Sequence, residues 1–248
     1  SKNVVDSICL AIEREVKPNM TTDELFAKAA RKLQQESPVL AANYSLRKAM
    51  LKLGPEGFLF EQYVAALLRE YGYKTKNNQI MRGHCVSHEI DVLAQKDNIH
   101  ALIEVKYHNR RGIKTDMQVA MYMYARVIDI AKRQERKEKQ KAVHEGWLFT
   151  NTKFTSNAIK YGKCMGVKLT GWHYPVKDSL EYLIAKKALY PITVLPSVNT
   201  FAREQLTVDG IFLVRDLSQF SSQDLIKKYK LYPQKAKAIL KEAEGLAP

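Results

Sequence analysis

Cysteine is scarce in this chain: three residues in 248, Cys9, Cys85 and Cys164, far apart and with no CxxC pair. That argues against a disulfide framework or a zinc ribbon and points to a reducing, cytoplasmic setting. Long apolar runs are missing as well. Every hydrophobic stretch is broken by charge short of the ~18–20 residues a membrane span needs. The opening residues, SKNVVDSICLAIEREV, carry acids and no small-residue cleavage site, unlike a secretory signal. There is no GxxxxGK(S/T) loop, so an ATPase motor is unsupported, and no internal repeat or long low-complexity segment. Acidic residues are the minority, 26 against 40 Lys+Arg, for a formal net charge of +14. Polyanions, nucleic acid foremost, are therefore the first partners to consider. The hydrophobic fraction of 46% is ample for a packed core, in one large domain or two to three small ones.

Three regions follow one another. Residues 1–53 read as helices, VVDSICLAIEREV, TTDELFAKAARKLQQ and PVLAANYSLRKAMLKL, with Thr21 and Glu24 spaced as a capping box. A GPEG break opens the second region, 54–192, where helices and strands alternate. A helix is expected over 57–71, then a polar stretch, strands at HEIDVLAQ and HALIEVKYH, and a long helix over 115–140. A strand at GWLFT, a helix over 156–165, a strand at VKLTGW and a helix over 178–189 follow. This order predicts an α/β fold, a mixed central sheet flanked by helices. The third region, 193–248, is helical again beyond the proline-containing YPITVLPS. The charged run RQERKEKQK (133–141) reads first as a solvated helix face.

The chemistry concentrates in His88–His108. Alternate strand residues share a face, so Glu89, Asp91 and Leu93 lie on one side, as do Leu102, Glu104 and Lys106. With a turn centred on Lys96 and Asp97, Asp91 sits opposite Leu102 and diagonal to Glu104, roughly 7–8 Å away. Two carboxylates can then close on one divalent cation, with the Val105 carbonyl and waters completing a Mg²⁺ shell. Such an ion activates water and neutralises charge on a phosphodiester. Lys106, about 6.6 Å along the strand, can position the nucleophile or steady the transition state. A register slip of one residue would scatter the set.

Each residue has a plainer reading. Asp91 could be an ordinary strand end, but Asp is unfavourable inside a β run and Val92 and Leu93 continue it. Glu104 and Lys106 could be a local ion pair on a half-solvated face, worth little. Glu61 lies on or beside the apolar side of its helix, where a carboxylate needs a partner; a metal site, Arg69 or a capping role would each serve. Gln118, at the start of the long helix, faces either a cleft or solvent. Tyr107, Arg110, Arg111 and Lys114 follow the strand and suit backbone phosphates, though solvated charge is the ordinary case. His84, His88 and His108 lack ligand spacing, and Cys85 reads as a small apolar residue.

The Asp91…Glu104-Val105-Lys106 pattern, D-x(12)-E-V-K after a glutamate-bearing helix, resembles the PD-(D/E)xK nuclease superfamily, and within it the Mrr-like restriction endonuclease domains. The helix GFLFEQYVAALLREYGY resembles that family's first helix, and FTNTKFTSNAIKYGKCMGVKLTGW its last strand–helix–strand unit, so the likeness covers roughly 57–172. One departure is HEID where a Pro-Asp pair is common. The resemblance implies a restriction-endonuclease-like core and metal-dependent endonuclease activity on DNA. It gives Asp91, Glu104 and Lys106 the catalytic roles, with Mg²⁺ (or Mn²⁺) as cofactor. Glu61 would hold metal or water, and a homodimer is implied by analogy, since two strands need two active centres. VLAANYSLRKAMLKLGPEGFLFE resembles the end of an ATP-cone, but that family's nucleotide-contacting strands have no counterpart here, so nucleotide binding is not expected. The stretch from Gly210 to Gly245 resembles a helix-hairpin-helix module with KLYPQKA in place of its glycines. Lys227, Lys228 and Lys235 keep it basic and suited to salt-sensitive DNA contacts. The competing reading is a non-catalytic DNA-binding or nucleotide-sensing protein that uses the fold as a platform.

Overall fold

The structure is a computed structural model that describes residues 2–54, 57–110, 112–137 and 143–246. Three helices come first: α1 (Lys2–Glu13), α2 (Thr22–Glu36) and α3 (Pro38–Met50). The capping box expected at α2 is present. Thr21 Oγ1 accepts the Glu24 N–H at 3.2 Å, and the Glu24 carboxylate accepts the Thr21 N–H at 2.8 Å. Each satisfies a backbone donor that the first helical turn leaves open.

The α/β unit spans residues 50–189. Its helix α4 (Phe58–Glu70) starts at Gly57, whose φ of +81° is the left-handed region glycine enters without strain. Seven of its thirteen residues, from Phe60 to Leu68, are buried, so α4 is a central helix rather than a surface one. Strands β1 (Lys74–Arg82), β2 (Ser87–Lys96) and β3 (Ile99–Lys106) form an antiparallel meander. The short β4 (Lys114–Thr115) leads into helix α5 (Met117–Lys137), which carries the chain over to β5 (Val143–Thr150), parallel to β3. The two-residue β6 (Lys153–Phe154) pairs with β4. Helix α6 (Ser156–Met165), capped by Thr155 and ended by Gly166 at φ +72°, returns the chain to β7 (Lys168–Thr170). Helix α7 (Leu180–Lys186) follows.

The sheet order is β1-β2-β3-β5-β7. Parallel neighbours need long crossovers, which α5 and α6 supply. Ile90, Leu102, Met123, Ile130, Leu148 and Leu169 belong to one buried cluster within this unit. Strand β3, central in the sheet, buries Ala101, Leu102, Ile103 and Val105.

Besides the two-residue β4 and β6, strand β1 is what the sequence reading does not anticipate. KTKNNQIMR has no apolar alternation, yet it pairs with β2 over nearly its full length, its residues alternately exposed and half-buried. An edge strand tolerates this composition, because one face and one hydrogen-bonding edge stay in water and charged side chains there discourage stray pairing. The other expected elements are found within a few residues of their predicted bounds. Residues 138–142, which include much of the charged run, lie outside the described residues.

Beyond α7 come α8 (Thr200–Val208), α9 (Ser222–Tyr229) and α10 (Pro233–Glu244), with short 3-10 turns at Ile192–Val194 and Val214–Gln219. Residues 1–49 and 190–248 form one compact unit. Within it the Tyr190 hydroxyl donates to Asn43 Oδ1 at 2.9 Å and the Thr193 hydroxyl to the Ala49 carbonyl at 2.9 Å. The Glu242 carboxylate accepts the Ser197 N–H at 3.0 Å and its hydroxyl at 2.7 Å. Regions read in sequence as the two ends of the chain thus share one core.

Candidate active site

The β2–β3 hairpin sets the site. Its ladder pairs Val92 with Ile103 and Leu93 with Leu102, two positions from the register the symmetric turn predicts. The cause is the turn itself. Lys96 pairs with Ile99, leaving only Asp97 and Asn98 to reverse the chain, and Asp97 takes a left-handed φ of +53° that Asp and Asn adopt more easily than most residues. A shift of two preserves the alternation of faces. Continued one step, the observed register brings Asp91 level with Glu104 instead of diagonal to it.

The ladder stops there for a local reason. Asp91 Oδ2 accepts the Val105 N–H at 2.7 Å, so a side chain takes the donor that the neighbouring strand would otherwise use. Strand β1 also yields at this level. Asn77 pairs with Val92 and Gln79 with Ile90, while Asn78 between them adopts φ +50°. The Asn77 amide reaches the carbonyls of Asp91 and Glu61, each at 3.5 Å, tying α4 to the hairpin.

Three half-buried carboxyls act on one another here. Burial raises Glu61 to about 7, helped by the negative charges of Asp91, Glu104 and Glu89. Glu104 is raised by burial and then by Asp91, while Arg126 and Lys106 pull the other way. Asp91 is raised by burial, against the Val105 N–H and the charges of Arg126 and Lys106. Lys106 is exposed at the end of β3, two residues beyond Glu104. Four elements therefore contribute: α4 gives Glu61, β2 gives Asp91, β3 gives Glu104 and Lys106, and α5 gives Arg126.

This donor set fits a hard divalent cation. Glu61, Asp91 and Glu104 offer oxygen, the ligand atom Mg²⁺ and Mn²⁺ prefer. No group of three His, Cys, Asp or Glu closes into a cage among the described residues. Mg²⁺ sites commonly use one or two carboxylates and keep several waters.

Arg126 is the residue the sequence reading misses. Its Nη1 donates to Glu104 Oε2, and its guanidinium lies 4.3 Å from the centroid of the Tyr122 ring. The available signal was the spacing: Tyr122 and Arg126 stand four apart on α5, where side chains stack on one face.

The remaining candidates are more dispersed. Gln118 is exposed in the first turn of α5, where its N–H and that of Val119 are capped by Asp116 Oδ1 at 3.1 and 3.4 Å. Arg110 and Lys114 are exposed, and Arg111 lies outside the described residues. The Tyr107 hydroxyl, considered above for phosphate, donates to the Leu51 carbonyl at 2.8 Å. His108 is tied to Asn151 and Thr115. His88 bonds Asp129 at 2.7 Å, and Arg69 donates to Thr75, not to Glu61. In the helical unit Lys227 is exposed, Lys235 half-buried, and Lys228 paired with Asp209 at 2.7 Å.

Residues 54–171, a span that holds Glu61, Asp91, Glu104 and Lys106, match the Mrr-type restriction endonuclease domain. An uncharacterized protein of Archaeoglobus fulgidus is 39% identical over 181 residues, 73% of this chain and 98% of that protein. The chain belongs to the Mrr-like family. Its residues 190–247 match the AF1548-like C-terminal domain. The crystal structure of AF1548, titled a protein of unknown function, is similar to this Mrr-like chain with a TM-score of 0.62 and 38% identity. That likeness covers 75% of this chain and 96% of the solved one. The sheet and the helices that flank it thus form a restriction-endonuclease-like domain. No helix among the described residues is long and apolar enough to cross a membrane.

Proposed function

We propose that this protein is a Mg²⁺-dependent DNA endonuclease, of restriction or repair type, with its active centre at Asp91, Glu104 and Lys106. One observation carries the reading: the β2–β3 register sets Asp91 level with Glu104 on adjacent strands, and the Val105 N–H holds the Asp91 carboxylate there at 2.7 Å. Two carboxylates set together without a role would be a cost to the fold. Asp91 and Glu104, with the Val105 carbonyl, would hold the ion. When bound it supplies charge neutralisation at the phosphodiester and a more acidic water. The Val105 N–H fixes one Asp91 oxygen, so the carboxylate is oriented before metal arrives. Lys106 steers the attacking water and balances charge on the scissile phosphate, and Glu61 helps hold that water or the metal. Arg110, Arg111 and Lys114 contact the backbone near the cut, with Gln118 in a lesser role. Lys227, Lys228 and Lys235 add a salt-sensitive contact from region 193–248. Region 54–192 carries the chemistry, and a homodimer would supply one active centre for each strand of a duplex.

The test is nicking of supercoiled plasmid with Mg²⁺, with EDTA, and with the variants Asp91→Ala and Lys106→Ala. Loss of cleavage in EDTA and a fall of about 10²-fold or more in both variants is expected, on the order of what one general acid–base or charge-stabilising group contributes. Equal cleavage by all three proteins would reject the reading. DNA binding that survives loss of Asp91 and Glu104, without any metal-stimulated cleavage, would favour a platform role instead.

A further inference from the structure

Arg126 has no part in the metal chemistry just described, yet it makes the most direct contact with one of its ligands. The pair is largely enclosed: the Arg126 side chain is 13% exposed and that of Glu104 17%. The groups acting on Glu104 are Asp91, Lys106 and Arg126, and of the two cations only Arg126 has a side-chain hydrogen bond to it.

The two acids of the site are held differently. Asp91 is anchored by a neutral backbone N–H, which a metal on the other oxygen leaves undisturbed. Glu104 is anchored by a full positive charge. A divalent ion on the Glu104 carboxylate would stand beside that guanidinium, and two cations sharing a half-buried carboxylate repel strongly where water screens poorly. Apart from Glu104, Arg126 is held by the Tyr122 side chain, through a hydrogen bond and its ring face, while its buried Nε has no hydrogen-bond partner among the described residues.

We propose that Arg126 is the resident counter-ion of Glu104 in the metal-free protein and that metal binding displaces it from that carboxylate. The proposal rests on the nuclease reading of the site. Arg126 is a positioning residue: it holds the Glu104 carboxylate in place, and it sets how much metal is needed to claim it. Because the two cations compete for one group, each weakens the other's hold by the same factor.

The experiment titrates Mn²⁺ calorimetrically into the full chain without DNA, comparing wild type, Arg126→Met, Asp91→Asn and Glu104→Gln. Thermal melts are run alongside with EDTA and with Mn²⁺. Arg126→Met keeps an apolar stem and removes the charge. It should bind Mn²⁺ more tightly, on the order of tenfold, within the usual range of coupling between two sites. The same variant should melt lower than wild type in EDTA and gain more than wild type from Mn²⁺, since a ligand stabilises the state that binds it. A merely structural arginine would lower the melting temperature without tightening the metal. Unchanged or weaker Mn²⁺ affinity in folded Arg126→Met, with wild-type binding lost in Asp91→Asn and Glu104→Gln, overturns the counter-ion role and leaves the nuclease reading intact. Wild-type Mn²⁺ binding that is absent, or unaffected by both acid variants, sinks the nuclease reading and this inference with it. Should Arg126→Met fail to fold, Arg126→Lys carries the same test. Its shorter reach weakens the pair, so tighter Mn²⁺ binding supports the role and equal or weaker binding refutes it.

Discussion

At the scale of single residues, stability in acid is set in part by Asp129. Its carboxylate accepts from His88 at 2.7 Å and from the N–H groups of Cys85 and Val86 at 2.8 and 3.3 Å. The His88 bond first, and the Cys85 N–H next, hold its pKa well below the usual carboxylate range. A group depressed in the folded state stabilises fully above its unfolded value, near about 4, and that contribution is lost as pH falls through the folded value. Melting temperature should therefore fall from about pH 4 downward, and Asp129→Asn should melt lower at pH 7 and lose less on acidification. Parallel pH–melting curves for the two proteins would refute this. Asp91, Glu104 and Lys106 were legible in sequence because chemistry-bearing residues interrupt β runs that would otherwise be apolar. Arg126 was not, because the pairing of a helix residue with a strand residue 22 positions earlier is a product of packing, not of local pattern.

At the scale of elements, the hairpin that carries Asp91 is locked at both ends. Its near turn is Asp97–Asn98; its far loop, between β1 and β2, is clasped to α5 through Asp129. Gly83 makes the clasp: a Cβ there would lie 2.0 Å from Asp129 Oδ2 and 2.7 Å from the Val86 carbonyl oxygen. Gly83→Ala should release the loop, raising amide exchange over residues 82–88; protection equal to wild type would contradict this. Core packing below the site is equally demanding. Leu148 is fully buried in β5, and Leu148→Ala should cost roughly 2–5 kcal/mol in chemical denaturation. A loss under about 1 kcal/mol would mean the core has collapsed around the smaller side chain. Strand β1 escaped the sequence reading because edge position relaxes the very alternation by which strands are found. The hairpin register escaped it because the reversal needs only two residues once Asp97 turns left-handed.

At the scale of the whole molecule, the formal charge of +14 sets the terms of any encounter with DNA. Binding should weaken steeply with salt, since each phosphate neutralised releases condensed counterions. Replacing Lys227 and Lys235 together by Gln should flatten the slope of log affinity against log salt by about 2, because each phosphate that stays unneutralised removes roughly 0.9. An unaltered slope would remove region 193–248 from the DNA interface. The order of helical, α/β and helical regions was readable from periodicity and from the breaks at GPEG and YPITVLPS. That the first and last regions share a core was not, because nothing local in either reports on a partner so distant along the chain.

The α/β unit is in effect a cassette spliced into the middle of another fold. The helical unit is assembled from two stretches of chain, 1–49 and 190–248, that synthesis delivers far apart in time. Its first half must wait on the ribosome, apolar side uncovered, until the intervening segment has emerged. A chain stopped at residue 189 would strand α1–α3 without the partners of Asn43 and Ala49, whereas residues 50–189 already hold the whole five-stranded sheet and the helices packed on it.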